Sequence, residues 1–171
     1  MATSGVCVRS ATPEDGVALL AFLRQFRSEG HAGVFRPVRP LPTLEEEVSW
    51  IRSLVEHESS HLWVACEGAA VVGLLDFQGH RHPQMAHGGI LGTSLLEAYR
   101  GRGLGKEPMQ TLIGWATRHP RLRRIELEVF SSNAHAIHFY TRQGFVREGA
   151  RRQAVEVEGR WCDIVLMARE V

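Results

Sequence analysis

The segment Tyr99-Arg100-Gly101-Arg102-Gly103-Leu104-Gly105-Lys106 constrains this chain more than any other. It follows an apolar, strand-like run, GGILGTSLL (88–96). A helical pattern from Leu104 to Arg118 comes next, with Met109, Leu112, Ile113 and Ala116 as its buried face. Glycines at alternate positions let the backbone turn sharply and approach a ligand closely. The first amides of the following helix lack an internal acceptor, and the helix dipole adds partial positive charge there. Strand, glycine loop and helix in this order make an anion site suited to a pyrophosphate. Without a ligand, the same residues would form a tight strand-to-helix turn. Spacing removes two nucleotide-binding alternatives. A Walker loop needs glycine where Arg100 stands and Ser or Thr where Glu107 stands, and G-x-G-x-x-G fails because Lys106 occupies its third glycine position.

The rest of the chain reads as alternating strands and helices. VCVRS (6–10) is a first strand, and Thr12-Pro13-Glu14-Asp15 supplies an N-cap with proline at the first helical position. The helix it opens carries Val17, Leu20, Leu23 and Phe26 on one side. Two glycines and three prolines between Gly30 and Pro42 predict an irregular loop. Thr43-Leu44-Glu45-Glu46 is a capping box opening a helix with Val48, Ile51 and Val55 inward. HLWVAC (61–66) and AVVGLLDF (70–77) form a hairpin across Glu67-Gly68. IELEVF (125–130) alternates with period two, a helix covers Ala134 to Arg142, and AVEVEGRWCDIVLMA (154–168) gives two strands joined at Glu158-Gly159. This order predicts an α/β sheet with helices on both faces. No repeat or linker divides it, so 1–171 reads as one domain.

Several classes of function are disfavoured. Lys and Arg together number 20 against 19 Asp and Glu, and the resulting charge of +1 gives no case for nucleic acid or an anionic membrane. The arginines of 118–124 and 147–152 lack interleaved aromatics. No apolar stretch reaches the length of a membrane span, and the N-terminal residues do not form a signal peptide, so a cytoplasmic protein is expected. Cys7, Cys66 and Cys162 lie far apart, and His80, His82 and His87 have no nearby cysteine or acidic triad. No metal is therefore expected.

Arg100-x-x-Gly103-x-Gly105 resembles the Q/R-x-x-G-x-G/A signature of the GNAT acetyltransferases. LEVFSSNAHAIHFYTRQGF (127–145) is similar to their second signature, a strand, an asparagine, an alanine-containing helix, a tyrosine and Gly-Phe. VCVRSATPEDGVALL at the start and EGRWCDIVLMA near the end also resemble that family. The resemblance implies a mixed, mostly antiparallel sheet with splayed middle strands and flanking helices. It implies acetyl-CoA as cosubstrate, with the pyrophosphate on the amides of Gly101, Arg102, Gly103, Leu104, Gly105 and Lys106. The pantetheine arm would pair with backbone around Leu95, and Arg100, Arg102 and Arg142 would meet CoA phosphates. Asn133 would support CoA, and Tyr140 would lie near its sulfur.

The implied reaction is acetyl transfer to a primary amine of a small metabolite or peptide. Two chemical needs follow. An ammonium with a pKa near ~10.4 must lose a proton, and a departing thiolate of pKa ~8.5–9.5 benefits from a donor. Tyr140 is the donor. Glu128 ranks first as base, ahead of Glu126 and Glu97; ion pairing with Arg121, Arg123 or Arg124 is its structural alternative. Asn133 and Tyr140, two helical turns apart, share one face with Ala136 and Ile137 between them. Capping competes for Asn133, and solvent exposure is the expectation for His135 and His138. A noncatalytic acetyl-CoA-binding module is the alternative function, and the resemblance leaves a homodimer open.

Overall fold

The computed structural model describes residues 5–29 and 40–171. Along the chain come β1 (Val6–Ser10), α1 (Gly16–Ser28), α2 (Leu44–Val55), β2 (His61–Glu67), β3 (Ala70–Gly79), β4 (Gly88–Leu95), α3 (Lys106–Arg118), β5 (Arg124–Phe130), α4 (Ala134–Arg142), β6 (Val146–Val157) and β7 (Arg160–Glu170). The irregular loop expected between Gly30 and Pro42 falls mainly on 30–39, outside the described residues. The sheet has seven strands in the order β1-β2-β3-β4-β5-β7-β6. Every neighbouring pair is antiparallel except β4 and β5. A parallel pair needs a crossover, and α3 supplies it.

Side chains alternate across the sheet and divide the core into two layers. Leu62, Val64 and Val72 meet Leu19, Phe22 and Phe26 of α1 and Ile51 and Leu54 of α2. On the opposite face, Phe77, Leu91, Ile125, Leu127 and Val129 pack against Met109, Leu112 and Ala116 of α3 and Tyr140 of α4. Each helix turns an apolar stripe inward, and its burial drives the packing.

Three expectations shift in register. Pro13–Asp15 form a 3-10 turn rather than the first turn of α1. Such a turn advances about 120° per residue instead of about 100°, which rotates the buried stripe. Leu19, Leu20, Phe22 and Phe26 are buried, whereas Val17, expected inward, is 67% exposed. In α2 the inward residues are Glu47, Ile51 and Leu54, and Val48 and Val55 only flank them. Finally, β6 begins at Val146, ahead of the expected 154, because its pairing with β7 continues through irregular register at Arg147/Gly149 and Arg151/Val155.

The start of α1 is clamped to β1. Arg9 donates from Nη1 to Asp15 Oδ2 at 2.8 Å and from Nη2 to Oδ1 at 2.6 Å, and the Thr12 amide donates to Oδ2 at 2.8 Å. The Arg9 hydrogen bonds, outweighing the opposing effect of burial, hold the Asp15 carboxyl below the usual carboxylate range. A depressed pKa stabilises the fold above the unfolded value and loses that contribution as pH falls through the folded value. Asp15→Asn should therefore cost about 1–2 kcal/mol at pH 7. Denaturant melts should show the gap between variant and wild type closing as pH drops below 4.

Candidate active site

The site begins where two strands stop pairing. β4 and β5 are bonded only over Gly88–Arg124, Gly89–Ile125 and Ile90–Glu126. Beyond Ile90 they part, while β4 stays paired to β3 as far as Leu95. The Leu96 amide donates to Val72 O of β3 at 3.0 Å. By strand alternation, the amides and carbonyls of Leu91, Thr93 and Leu95 face the gap. Main-chain groups along such an edge can take an extended ligand as a further strand.

At its end, β4 runs into the glycine loop. Gly101 and Gly103 have φ of 68° and 78°, the left-handed region that favours glycine. A Cβ at either would meet no protein atom within 4 Å, so the space above the loop is open. The Lys106 amide donates to Gly103 O at 3.2 Å, but the amides of residues 101–105 have no backbone acceptor among the described residues. Free amides, open space and the α3 N-terminus fit a diphosphate. Arg100 instead turns inward. Its Nε donates to Leu95 O at 2.8 Å and its guanidinium lies 5.8 Å from the Phe26 ring centre, tying the loop to α1. The Glu97 amide adds a bond to Glu29 Oε2 at 2.9 Å. Arg102, Lys106 and Arg142 are exposed.

The gap opens into a cavity of about 450 Å³. Leu91 to Ser94, Glu128 to Phe130, Asn133, Ala136, Tyr140 and Asp76 line it. Leu91, Val129 and Tyr140 belong to the α3–α4 layer. Asp76, Gly92 and Glu128 project from the other face, so the cavity passes through the sheet. A second cavity of about 240 Å³ shares Ile90 and Glu128 with it and is rimmed by Arg124, Glu126, Glu148 and Arg151. Glu128 is ion-paired with Arg151, and its side chain is 34% exposed. Glu126 pairs with Arg124 at 2.8 Å, and Arg121 binds Glu58. Thus Glu128 does have an arginine partner, though not one of the three considered from sequence. Glu97 sits in a turn outside the cavity lining.

On α4, Asn133 does two things. Its Oδ1 accepts from the Ala136 amide at 3.1 Å, capping the helix, and it lines the cavity. Ala136 lies beside it there, whereas Ile137 packs into the core. Tyr140 is 8% exposed, and burial pushes its phenol up to about 12. His135 and His138 are exposed. His80 approaches Glu126 at 3.7 Å, and His82 caps a short turn. No group of three His, Cys, Asp or Glu among the described residues is placed to hold a metal ion. No helix among them is long and apolar enough to cross a membrane.

The family model described as "Acetyltransferase (GNAT) family" matches residues 21–145. The chain belongs to the GNAT acetyltransferase family. One GNAT relative is the L-amino acid N-acetyltransferase AaaT of Escherichia coli K12, 31% identical over 67% of this chain and 79% of its own. Spermine/spermidine N(1)-acetyltransferase of Bacillus subtilis is 42% identical over 31% of this chain and 35% of its own. Among solved structures, a GNAT acetyltransferase from Streptococcus pneumoniae superposes with a TM-score of 0.89 at 26% identity, over 97% of this chain and 99% of that one. The Salmonella typhimurium protein yncA, solved with its cofactor acetyl-CoA, gives 0.82 at 19% identity over 96% and 93%. The mostly antiparallel sheet with parting central strands is the GNAT architecture expected from the sequence.

One cavity residue of this GNAT chain escaped the sequence reading. Asp76 lies inside the apolar run VVGLLDF, where strand pairing alone gives it no role. Its only sequence signal is a charge in the middle of a buried strand.

Tyr140 offers a direct test of the cavity's dryness. A phenol with a raised pKa keeps its proton in the folded state at a pH where the unfolded chain releases it. Stability should therefore fall as pH rises from about 10 toward 12. Ultraviolet titration should show a tyrosinate component centred near pH 12 that Tyr140→Phe removes. The remaining component belongs to Tyr99, whose hydroxyl donates to Glu67 at 2.6 Å.

Proposed function

We propose that this chain transfers the acetyl group of acetyl-CoA to a primary amine of a small metabolite or peptide. The observation that carries this reading is the unpaired β4 edge, which lines one cavity with Tyr140 and runs on in the chain into the glycine loop with its free amides. Acetyl-CoA supplies an activated thioester that the amine attacks directly. The amides of residues 101–105 take its pyrophosphate, with Arg102, Lys106 and Arg142 as exposed cations for the remaining phosphate charge. The gap-facing groups of Leu91 and Thr93, with the amide of Leu95, pair with the pantetheine arm. Asn133 and Ala136 let that arm lie close to α4.

Tyr140 donates its hydroxyl proton in a hydrogen bond to the departing sulfur. A phenol near 12 stays protonated at neutral pH. Full transfer to a thiolate whose thiol has a pKa of ~8.5 would be uphill by about 5 kcal/mol. Tyr140 therefore holds charge on sulfur rather than surrendering its proton outright. The amine enters from the face carrying the second cavity, where Glu128 attracts an ammonium. AaaT and the spermidine enzyme, named for amine acceptors, support that acceptor class.

Two substitutions test this reading. Gly103→Val forces a β-branched residue to φ 78° and fills the open space above the loop. Titration calorimetry should show acetyl-CoA affinity falling at least tenfold (about 1.4 kcal/mol) in a folded variant; normal affinity would sink the phosphate assignment. Tyr140→Phe should lower kcat by roughly 10²–10³-fold with little change in KM for acetyl-CoA. The assay is thiol release from acetyl-CoA against an amine library. Binding of acetyl-CoA with no amine acetylated would leave a noncatalytic binding module.

A further inference from the structure

We propose that Asp76 is the carboxylate that receives the acceptor ammonium and takes its proton, an assignment that rests on the acetyl-transfer reading above. Asp76 is 9% exposed and lines the cavity between the parted strands. Gln78 Nε2 donates to its Oδ2 at 2.7 Å. Among the described residues, no arginine, lysine or histidine forms an ion pair with it. A buried charge without a counter-ion is costly, and a cavity beside it invites a cationic ligand to supply one. The room for its carboxylate is set by Gly92, the opposite residue of β4. A Cβ there would collide with Oδ1 and stand 3.1 Å from Cγ.

Glu128, the base favoured by sequence, is more open and already has a cation, Arg151. Asp76, lining the cavity without a cation of its own, is the carboxylate left open to a charged amine. One ammonium N–H proton moves to Asp76, freeing the nitrogen lone pair. The nitrogen bonds to the acetyl carbon, the C–S bond breaks and its electron pair goes to sulfur. The second nitrogen proton leaves with the thiol, and Asp76 returns its own proton to solvent. Burial pushes the Asp76 carboxyl up, with Gln78 opposing. That shift brings a carboxylate nearer the pKa of an efficient base. Also on this sheet face are His80 near Glu126, Arg124 with Glu126 and Glu148, Arg151 with Glu128, and Arg9 with Asp15, and α2 turns the buried Glu47 inward beneath it; Leu62 and Gly92, its partners on β2 and β4, carry no charge.

The test uses the full chain and the isosteric Asp76→Asn. The amine panel comprises the common L-amino acids, spermidine and an alanyl peptide. The variant should lose roughly 10²–10⁴-fold in kcat, bind acetyl-CoA with unchanged affinity, and lack the acidic limb of the wild-type kcat/KM profile. A second readout needs no turnover. Because the folded Asp76 holds its proton more tightly than the unfolded chain does, wild-type stability falls as pH rises through the folded pKa. Asp76→Asn should consequently melt progressively higher than wild type over that range. Wild-type turnover with Asp76→Asn equally active overturns the Asp76 assignment alone. So does loss of the acidic limb in Glu128→Gln but not in Asp76→Asn. Absence of turnover in wild type across the panel overturns the acetyl-transfer reading and this assignment with it.

Discussion

The parting of β4 and β5 is the constraint from which the site follows. A sheet gains from continuous pairing, and unpaired main-chain groups away from water are costly. Here pairing lasts three residue pairs and then stops. The residues on either side keep the two strands in place without rejoining them. β4 stays bonded to β3 through Leu95, and β5 stays bonded to β7 through Phe130. Each strand is thus held by its outer neighbour alone, and the inner edges stand free. Arg100 ties the loop to the end of β4 by donating to the Leu95 carbonyl, and its guanidinium lies beside the Phe26 ring. The glycine loop and the open strand edge are one mechanical unit.

The two ionisable groups deepest in the gap share an electrostatic character. Tyr140 and Asp76 are both buried, and in both cases burial is the leading cause of a raised pKa. They differ in what that does. A neutral phenol is the form desolvation favours, so Tyr140 is comfortable as a donor. An ionised carboxylate is the form desolvation opposes, so Asp76 gains from a proton or a cation. The Glu126, Glu128 and Glu148 carboxylates, by contrast, lie at the rim with arginine partners. Partnered groups at the surface and poorly partnered ones within divide charge recruitment from proton transfer.

Much of this was legible in the sequence, for reasons that differ by element. The glycine loop was readable because backbone conformation dictates residue type: φ near +70° at 101 and 103 favours glycine. The α4 face was readable because helical spacing fixes which residues align, and Asn133, Ala136 and Tyr140 do meet at the cavity. The face of α1 was not, because a 3-10 turn ahead of it changed the phase. The inward contacts of Arg100 were not legible, because a carbonyl five residues away and a ring 74 positions upstream meet its guanidinium only in the fold. Asp76 was hidden because its surroundings are assembled by strand register. Gly92 lies opposite it on β4, and the cavity beside it exists only because another strand departs.

Placement on opposite faces also fits the direct attack proposed above. The α3–α4 layer holds Tyr140, whereas Asp76 and Glu128 project from the other side. A thioester approaching along one face and an amine along the other would meet in the gap, each beside the group suited to its proton. An acyl-enzyme route through a cysteine would need a thiol lining that gap. Cys66 is buried in the α1–α2 layer, Cys7 is exposed on β1, and Cys162 contacts Ser131 and Ser132 beyond the end of β5. None of the three lines the cavity. Direct attack is the chemistry that a slot through a sheet favours, because it brings two substrates together without asking either to share a face with the other.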